Sequence, residues 1–390
     1  MEERKYTIQD LDEYIRQGEP EKVEKTYLWR AAIGLQQVDG LKPSDFLVEK
    51  AKENIEGTIS IEEVQRQLKT YYQSKVSREP NDDETEEADR VSANIAKLLS
   101  TNNLNFSVFG YRQVHRNIFD GVFKFAGKIR EFDITKKEWV LRGDTVNYMY
   151  AADLHLALEY DIEQERQFNY GGLTTDEIIK HICKFVANLW QIHAFAEGNT
   201  RTTAVFTIQY LRSIGFDVNN DVFAENSWYF RNALVRYVYK NKNGVQPEPI
   251  FLERFFRNLL LGEHNELKNR YMIINPPEEW KMVNTPEQVP EQVPEQLPEQ
   301  LPEQVGNLFM TDNKNILRLV AVIGTNQMSV KEMMVGVGLK QRPNFIEYSL
   351  NPSLKEGFVK MLYPDKPNHP RQKYLLTVKG LGVYNDYRNK

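Results

Sequence analysis

From residue 286 to residue 305 the tetrapeptide Pro-Glu-Gln-[Val/Leu] occurs five times in succession. A proline at every fourth position removes a backbone donor and sets a ring against the preceding turn, so no helix can run through this stretch. It reads as an extended spacer, with the alternative that its period aligns Val and Leu side chains for a partner. Whatever folds in this chain folds on one side of it or the other. The 390 residues suffice for two or three cores.

Charge divides at the same place. Residues 307–390 carry 13 Lys and Arg against 6 Asp and Glu, a net +7, which leaves −12 for the first 306 residues given the total of −5. A basic module on an acidic body points to an anionic partner for that module, a solvated basic face being the plainer alternative. No run of about 18 apolar residues exists, which excludes a membrane-spanning helix. The Met-Glu-Glu-Arg-Lys start lacks the pattern of a signal peptide, and one thiol, Cys183, cannot form an internal disulfide. A cytoplasmic location is therefore expected. Cys183 reads as a small core hydrophobe.

The acidic body holds one stretch dense in chemistry, His193-Ala194-Phe195-Ala196-Glu197-Gly198-Asn199-Thr200-Arg201. A capping box at Thr174 and Glu177 opens the helix before it, and Ile178, Ile182, Phe185, Val186, Leu189 and Ile192 form one apolar face leading to His193. A second helix is expected to begin near Arg201 and to stop at Gly215. The amides at its start have no intrahelical acceptor, so they and the helix dipole favour a phosphate in the loop, and Gly198 lets the backbone approach such a ligand. Taken singly, His193 is a capping residue and Phe195 a core anchor; base, carboxylate, Gly-Asn pair and cation together make an anion site.

This stretch resembles the signature of Fic-domain proteins, H-x-F-x-[DE]-G-N-G-R-x-x-R, whose members mostly transfer AMP from ATP to a hydroxyl side chain of a target protein. His193, Phe195, Glu197, Gly198, Asn199 and Arg201 match; Thr200 replaces the second Gly and Ala204 the second Arg. Runs at 114–119 and 125–130 resemble the early core of the same family, so the likeness covers roughly residues 92–260. It implies a mainly α fold with a β-hairpin flap, His193 as general base, and Glu197 as a Mg²⁺ ligand. Asn199 and the amides of Gly198 to Arg201 would hold phosphates, and the Arg201 guanidinium the β-phosphate. Thr200 fits such a nest only if its φ stays negative. Tyr229 and Asn232, in a helix expected over 226–239, would face the adenine. Residues 139–149 read as the hairpin, with Thr145, Val146 and Asn147 as the flap that holds the target segment by strand addition.

The first 75 residues read as a small helical bundle, with helices over 28–38, after Pro43-Ser44-Asp45 and after Ser60. They also resemble the antitoxin domain that inhibits many Fic proteins, in which a glutamate pairs with the second signature Arg. Here the inhibitory position holds Asp39 and the Arg position Ala204, so that pair cannot form, and little inhibition through Asp39 is expected unless Arg201 takes its place. Residues 76–91 read as a solvated acidic connector. After the spacer, three helices and two basic strands, at 358–362 and 373–378, resemble a winged-helix domain, with Lys340, Arg342, Lys366, Arg371 and Lys373 as DNA contacts. The expected organisation is thus an antitoxin-like segment (1–75), a connector (76–91), a catalytic core (92–265), a linker (266–306) and a winged-helix domain (307–390). ATP is the expected substrate and Mg²⁺ the expected metal. Target-protein hydroxyls and DNA are the expected partners, a second copy of the chain is left open, and no membrane is expected. Transfer of UMP, phosphate or phosphocholine is the nearer alternative; a catalytically silent, nucleotide-sensing DNA-binding regulator is the more distant one.

Overall fold

The computed structural model describes residues 8–74, 82–101, 103–218, 221–275 and 311–389; the Pro-Glu-Gln repeats lie outside them. The architecture is mainly helical. A 3-10 turn leads into α1 (Asp12–Gln17) and α2 (Pro20–Gly34), whose first turn tolerates Pro20 because its amide has no intrahelical acceptor. A further 3-10 turn, Leu35–Asp39, ends at Gly40, φ 74°. Then come α3 (Asp45–Ile55), capped by the Ser44 hydroxyl, α4 (Ile61–Ser74), α5 (Asp82–Leu99) and α6 (Val108–Ile118). The body is completed by α7 (Leu154–Gln167), α8 (Thr175–Ile192), α9 (Asn199–Ser213), α10 (Val222–Val238) and α11 (Ile250–Leu261).

α9 is the central element. Every residue from Asn199 to Leu211 is buried, with α5, α6 and α8 packed around the helix. The N-terminal helices belong to the same core. α2 lies so close to α10 that a Cβ on Gly34 would sit 2.1 Å from the Ala224 carbonyl oxygen. Arg30, buried between them, donates to Asp221 at 2.5 Å and also to Asp12 and Glu225.

Of the acidic run expected as a solvated connector running into a helix, residues 82–91 already belong to α5, and residues 76–81 lie outside the described residues. Asp83 and Glu84 are exposed, while Ala88, Val91, Ile95, Ala96 and Leu99 recur at helical spacing and are buried. Asp89 is buried with them. It is compensated by three donors: the Ser44 amide at 2.8 Å, the Ser44 hydroxyl at 2.5 Å and the Tyr72 hydroxyl at 2.7 Å.

The expected linker also begins too early, because a 3-10 turn at Asn269–Met272 buries Met272 fully and the Ile274 amide donates to the Val140 carbonyl at 2.9 Å. Nor is there a strand pair at 139–149. Trp139–Leu141 is a 3-10 turn followed by left-handed Arg142 and Gly143, and the extended segment after it spends its carbonyls elsewhere. The Asn147 oxygen accepts from the Gln191 side chain and the Met149 oxygen from Arg130, so no ladder is left to form.

The C-terminal part contains α12 (Lys314–Ile323), α13 (Val330–Gly336) and α14 (Arg342–Phe345), which continues through a π-helical turn into α15 (Asn351–Lys355). β1 (Val359–Met361) pairs antiparallel with β2 (Tyr374–Leu376), Lys360 opposite Leu375. A last helix, α16 (Val378–Arg388), was not foreseen in the sequence; it docks on α8, with Asn385 donating to the Leu173 carbonyl at 2.9 Å.

Replacing Asp89 by Ala should cost about 3 kcal/mol or more in denaturant unfolding, since two side-chain donors and one amide lose a charged acceptor in the interior. A change under about 1 kcal/mol would mean that water reaches these donors.

Candidate functional site

α8 starts on the expected capping box, in which the Thr174 hydroxyl accepts from the Glu177 amide and the Glu177 carboxylate from the Thr174 amide. It ends at His193, whose φ of 51° and ψ of 57° are left-handed. A non-glycine residue holds that conformation only when its surroundings impose it. Here the His193 amide donates to the Trp190 carbonyl at 3.0 Å, and Arg130 Nε donates to the His193 carbonyl at 2.8 Å. Tyr148, from the flap segment, covers the ring with centroids 4.2 Å apart.

The imidazole is 4% exposed, and neither of its nitrogens has a hydrogen-bond partner. Burial, then the positive charges of Lys136, Arg231 and Arg130, hold its pKa well below the ordinary histidine value. His193 is thus a neutral base with both nitrogens unspent. Buried polar atoms are rarely left so unless a ligand completes them.

The loop after it is braced by residues that the sequence reading did not assign to the site. The Gly127 amide donates to His115 Nδ1 at 2.8 Å, which places the ring proton on Nε2, and Nε2 donates to the Glu197 carbonyl at 3.0 Å. The His115 ring stacks on Phe195, centroids 3.8 Å apart, and burial lowers its pKa to about 4, so it remains neutral. Arg130 joins the loop to the flap: besides His193 it donates to the carbonyls of Phe132 and Met149, both at 2.5 Å. Sequence offered no signal for either role beyond the general likeness of this region, since both depend on contacts across more than 60 positions.

Three expected roles are revised. Asn199 does not present its side chain to a ligand; it closes the loop, accepting from the Phe195 amide at 2.9 Å and donating to the Phe195 carbonyl at 2.7 Å. Gly198 is needed first for Phe119, because a Cβ there would lie 2.2 Å from that ring, and its φ is 76°. Tyr229 and Asn232 are core residues. The Tyr229 hydroxyl donates to the Phe251 carbonyl at 3.1 Å, and Asn232 Nδ2 donates to Asn269 at 2.8 Å while its Oδ1 has no partner; both side chains are buried and turn no face to solvent.

Thr200 meets its condition, for it lies in the first turn of α9 without a positive φ, and its hydroxyl accepts from Trp190 Nε1 at 2.9 Å. Glu197 is half exposed and lies 3.2 Å from Lys136 Nζ. It is a single carboxylate, and among the described residues no group of three or more metal-ligating side chains exists, so a cation here would draw most of its oxygens from a ligand and water. In the flap, Val146 is buried, Thr145 half-buried and Asn147 exposed.

Arg201 is 2% exposed, with acceptors at both terminal nitrogens and no hydrogen bond at Nε. Its guanidinium lies 2.8 Å from Asp39 Oδ2, an ion pair off the hydrogen-bond direction, and donates to Glu87 at 2.7 Å and to Gln36 at 3.0 Å. The ring of Phe119 lies 4.9 Å from its central carbon. Ala204 is buried and offers Asp39 no charge, as expected, but Asp39 has found the other arginine position. The cations expected to meet DNA, Lys340, Arg342, Lys366, Arg371 and Lys373, are all exposed; Lys366 and Arg371 lie on the loop between β1 and β2.

Gly198→Ala should lower stability by at least about 1–2 kcal/mol from the left-handed backbone alone, and more from the collision with Phe119. Unchanged thermal unfolding would show that the ring swings aside freely.

Residues 105–211 match the Fic/DOC family, and residues 314–377 match the C-terminal domain of the Fic-like proteins named for filamentation induced by cAMP. Protein adenylyltransferase VbhT of Bartonella schoenbuchensis is 28% identical over 116 residues, 30% of this chain but 23% of that protein. Among solved structures, a Fic family protein from Desulfovibrio desulfuricans G20 aligns over 96% of this chain and 98% of its own at 15% identity and a TM-score of 0.38. BepC of Bartonella tribocorum with bound AMPPNP aligns over 47% of this chain and 88% of its own at 16% identity and a TM-score of 0.37. Among the described residues no helix is long and apolar enough to cross a membrane. The stretch from His193 to Arg201, built on α8 and α9, lies within the matched residues, so the chain contains a Fic domain at residues 105–211 and a Fic-like C-terminal domain at residues 314–377.

Proposed function

We propose that this protein transfers a nucleotidyl group, AMP from ATP, to a Ser, Thr or Tyr hydroxyl of a target protein or of itself, with release of pyrophosphate. The observation that carries the reading is the His193 imidazole, which is neutral, buried and unpartnered at the C-terminal end of α8, six residues before α9 begins. A hydroxyl replacing Tyr148 over that ring would find a base for its proton as it attacks the α-phosphate. The first amides of α9 receive phosphate oxygens. Glu197 suits a Mg²⁺ ion shared with the phosphates, which would neutralise their charge, and Lys136 has to yield that carboxylate. VbhT, whose name is that of a protein adenylyltransferase, supports the same chemistry.

Arg201 is the group for the β-phosphate, and in the state described its charge is taken by Asp39 and Glu87. Phosphate and carboxylate compete for one guanidinium, so this state is closed to productive nucleotide binding. The basic face of residues 311–389 is part of the proposal as an anion-binding surface, DNA being the polyanion its exposed cations fit.

Incubation with each labelled nucleoside triphosphate and Mg²⁺, followed by search for labelled protein, tests the reading directly; no label from any of the four would end it. His193→Ala should cut transfer roughly 10²-fold or more while nucleotide still binds. Because burial lowers the His193 pKa, the base form persists below pH 6.5, and the rate should not fall as pH passes from 7 to 6. A drop centred near 6.5 would mean an imidazole open to water.

The Asp39→Asn, Glu87→Gln double variant should bind ATP about 10-fold more tightly, the equivalent of about 1.4 kcal/mol, by releasing Arg201. This reverses the small effect that the missing 39–204 pair implied. Removing residues 1–75 is a poorer test, for it strips α2 from α10. Equal ATP affinity in calorimetric titrations of double variant and parent would remove Arg201 from the phosphate site.

A further inference from the structure

α7 has two apolar faces. Leu154, Leu158 and Ile162 are buried in the body, as one face of a surface helix must be. The opposite side should be polar, yet it carries Leu156 and Tyr160, 69% and 62% exposed, with Ala157 between them. Asp153 and Asp161 lie on the same side at helical spacing.

Across from this side run Met149 and Tyr150 of the flap segment and the last turn of α8, and together they enclose a cavity of about 670 Å³. Its walls hold two carboxylates, Asp153 and Asp161, and no Lys or Arg. Asp161 is half-buried, and among the described residues no donor or cation meets it; burial alone pushes its pKa up to about 6. The exposed rings of Tyr150 and Tyr160 flank the opening.

An anion withdrawn from water without a partner is a cost that a cation would remove. Aromatic rings beside it favour a cation with a long apolar stem, above all a guanidinium, which stacks on tyrosine and pairs with a carboxylate at once. The place of the cavity matters as much as its chemistry. Ile192 and Gln191 line it one and two residues before His193, and the Gln191 side chain donates to the Asn147 carbonyl of the flap at 3.1 Å. A peptide lying along the flap with a hydroxyl at His193 passes the mouth of this cavity.

We propose that the cavity between α7, the flap segment and the end of α8 is a specificity subsite that takes an arginine or lysine side chain of the target segment near its acceptor hydroxyl. The proposal rests on the reading of this protein as a transferase acting on protein hydroxyls. Asp161 supplies the charge, Tyr150 and Tyr160 the walls, and Leu156 the contact with the stem. Target segments are thereby selected for a basic residue, whereas an acidic one is repelled by both carboxylates.

Calorimetric titration of the full chain with two synthetic octapeptides of Ser, Thr and Gly, one carrying a single Arg and its twin a citrulline, tests the subsite. The Arg peptide should bind roughly 5-fold more tightly or better. Asp161→Asn, a substitution of the same shape, should abolish that preference, and Tyr160→Ser, at an exposed position, should weaken the Arg peptide. Equal binding of the twins, binding of neither, or a preference that survives Asp161→Asn would overturn the proposal. Transfer from labelled ATP is measured on the same preparations: label with no Arg preference sinks the subsite alone, and an Arg preference without label sinks the transferase reading while leaving a basic-peptide site.

Discussion

A single buried guanidinium, that of Arg201, sets the terms for the catalytic half of the molecule. Enclosing such a group costs several kcal/mol unless its charge and donors are compensated, and most of that compensation comes here from groups on separate stretches of chain. Gln36 and Asp39 come from the turn after α2, Glu87 from α5, and the Phe119 ring from the end of α6. α9 can be buried along its length only because these stretches converge on it. The N-terminal helices are therefore a wall of the core, and the same contacts that complete the fold hold the anion site shut.

A second guanidinium does comparable work on the other side of the loop. Arg130 gathers the carbonyls of His193, Phe132 and Met149, so the left-handed backbone at His193 and the position of the flap are fixed by one side chain. Opening the flap to admit a target cannot be separated from the geometry of the base. Glu138, buried under the flap, strengthens the link: it accepts from the Tyr148 hydroxyl at 2.9 Å and pairs with Arg231 at 2.9 Å. Tyr148 thus covers His193 while tied to a buried ion pair, which makes the covered state a definite alternative to the open one.

These two arrangements place like chemistry at both ends of one site. On the proposed reading, anions of the chain occupy the cation that phosphate would meet, and an aromatic side chain of the chain occupies the face that a hydroxyl would meet. The cavity beyond the flap differs, since nothing among the described residues fills it and the Asp161 carboxylate is unmet there.

What could be read from the sequence was local. The capping box at Thr174, the apolar face of α8, the stop at Gly215 and the density of chemical groups from His193 to Arg201 all follow from spacing within one or two turns, where the chain's own geometry decides. The C-terminal helices and hairpin were legible for the same reason, although α16, with its short and mixed pattern, was not. The sequence showed a helix following the acidic run but not that it already begins at Asp82, because the apolar spacing starts only at Ala88. Nor could it say that Asn199 and Gly198 serve the loop and Phe119, that Tyr229 and Asn232 are core, or that Asp39 would meet Arg201. Those outcomes depend on which distant groups share a desolvated space. Whether the partner is 4 positions away, as Phe195 is for Asn199, or 165, as Gln36 is for Arg201, such hydrogen bonds leave no periodicity behind, and only the packed structure could decide them.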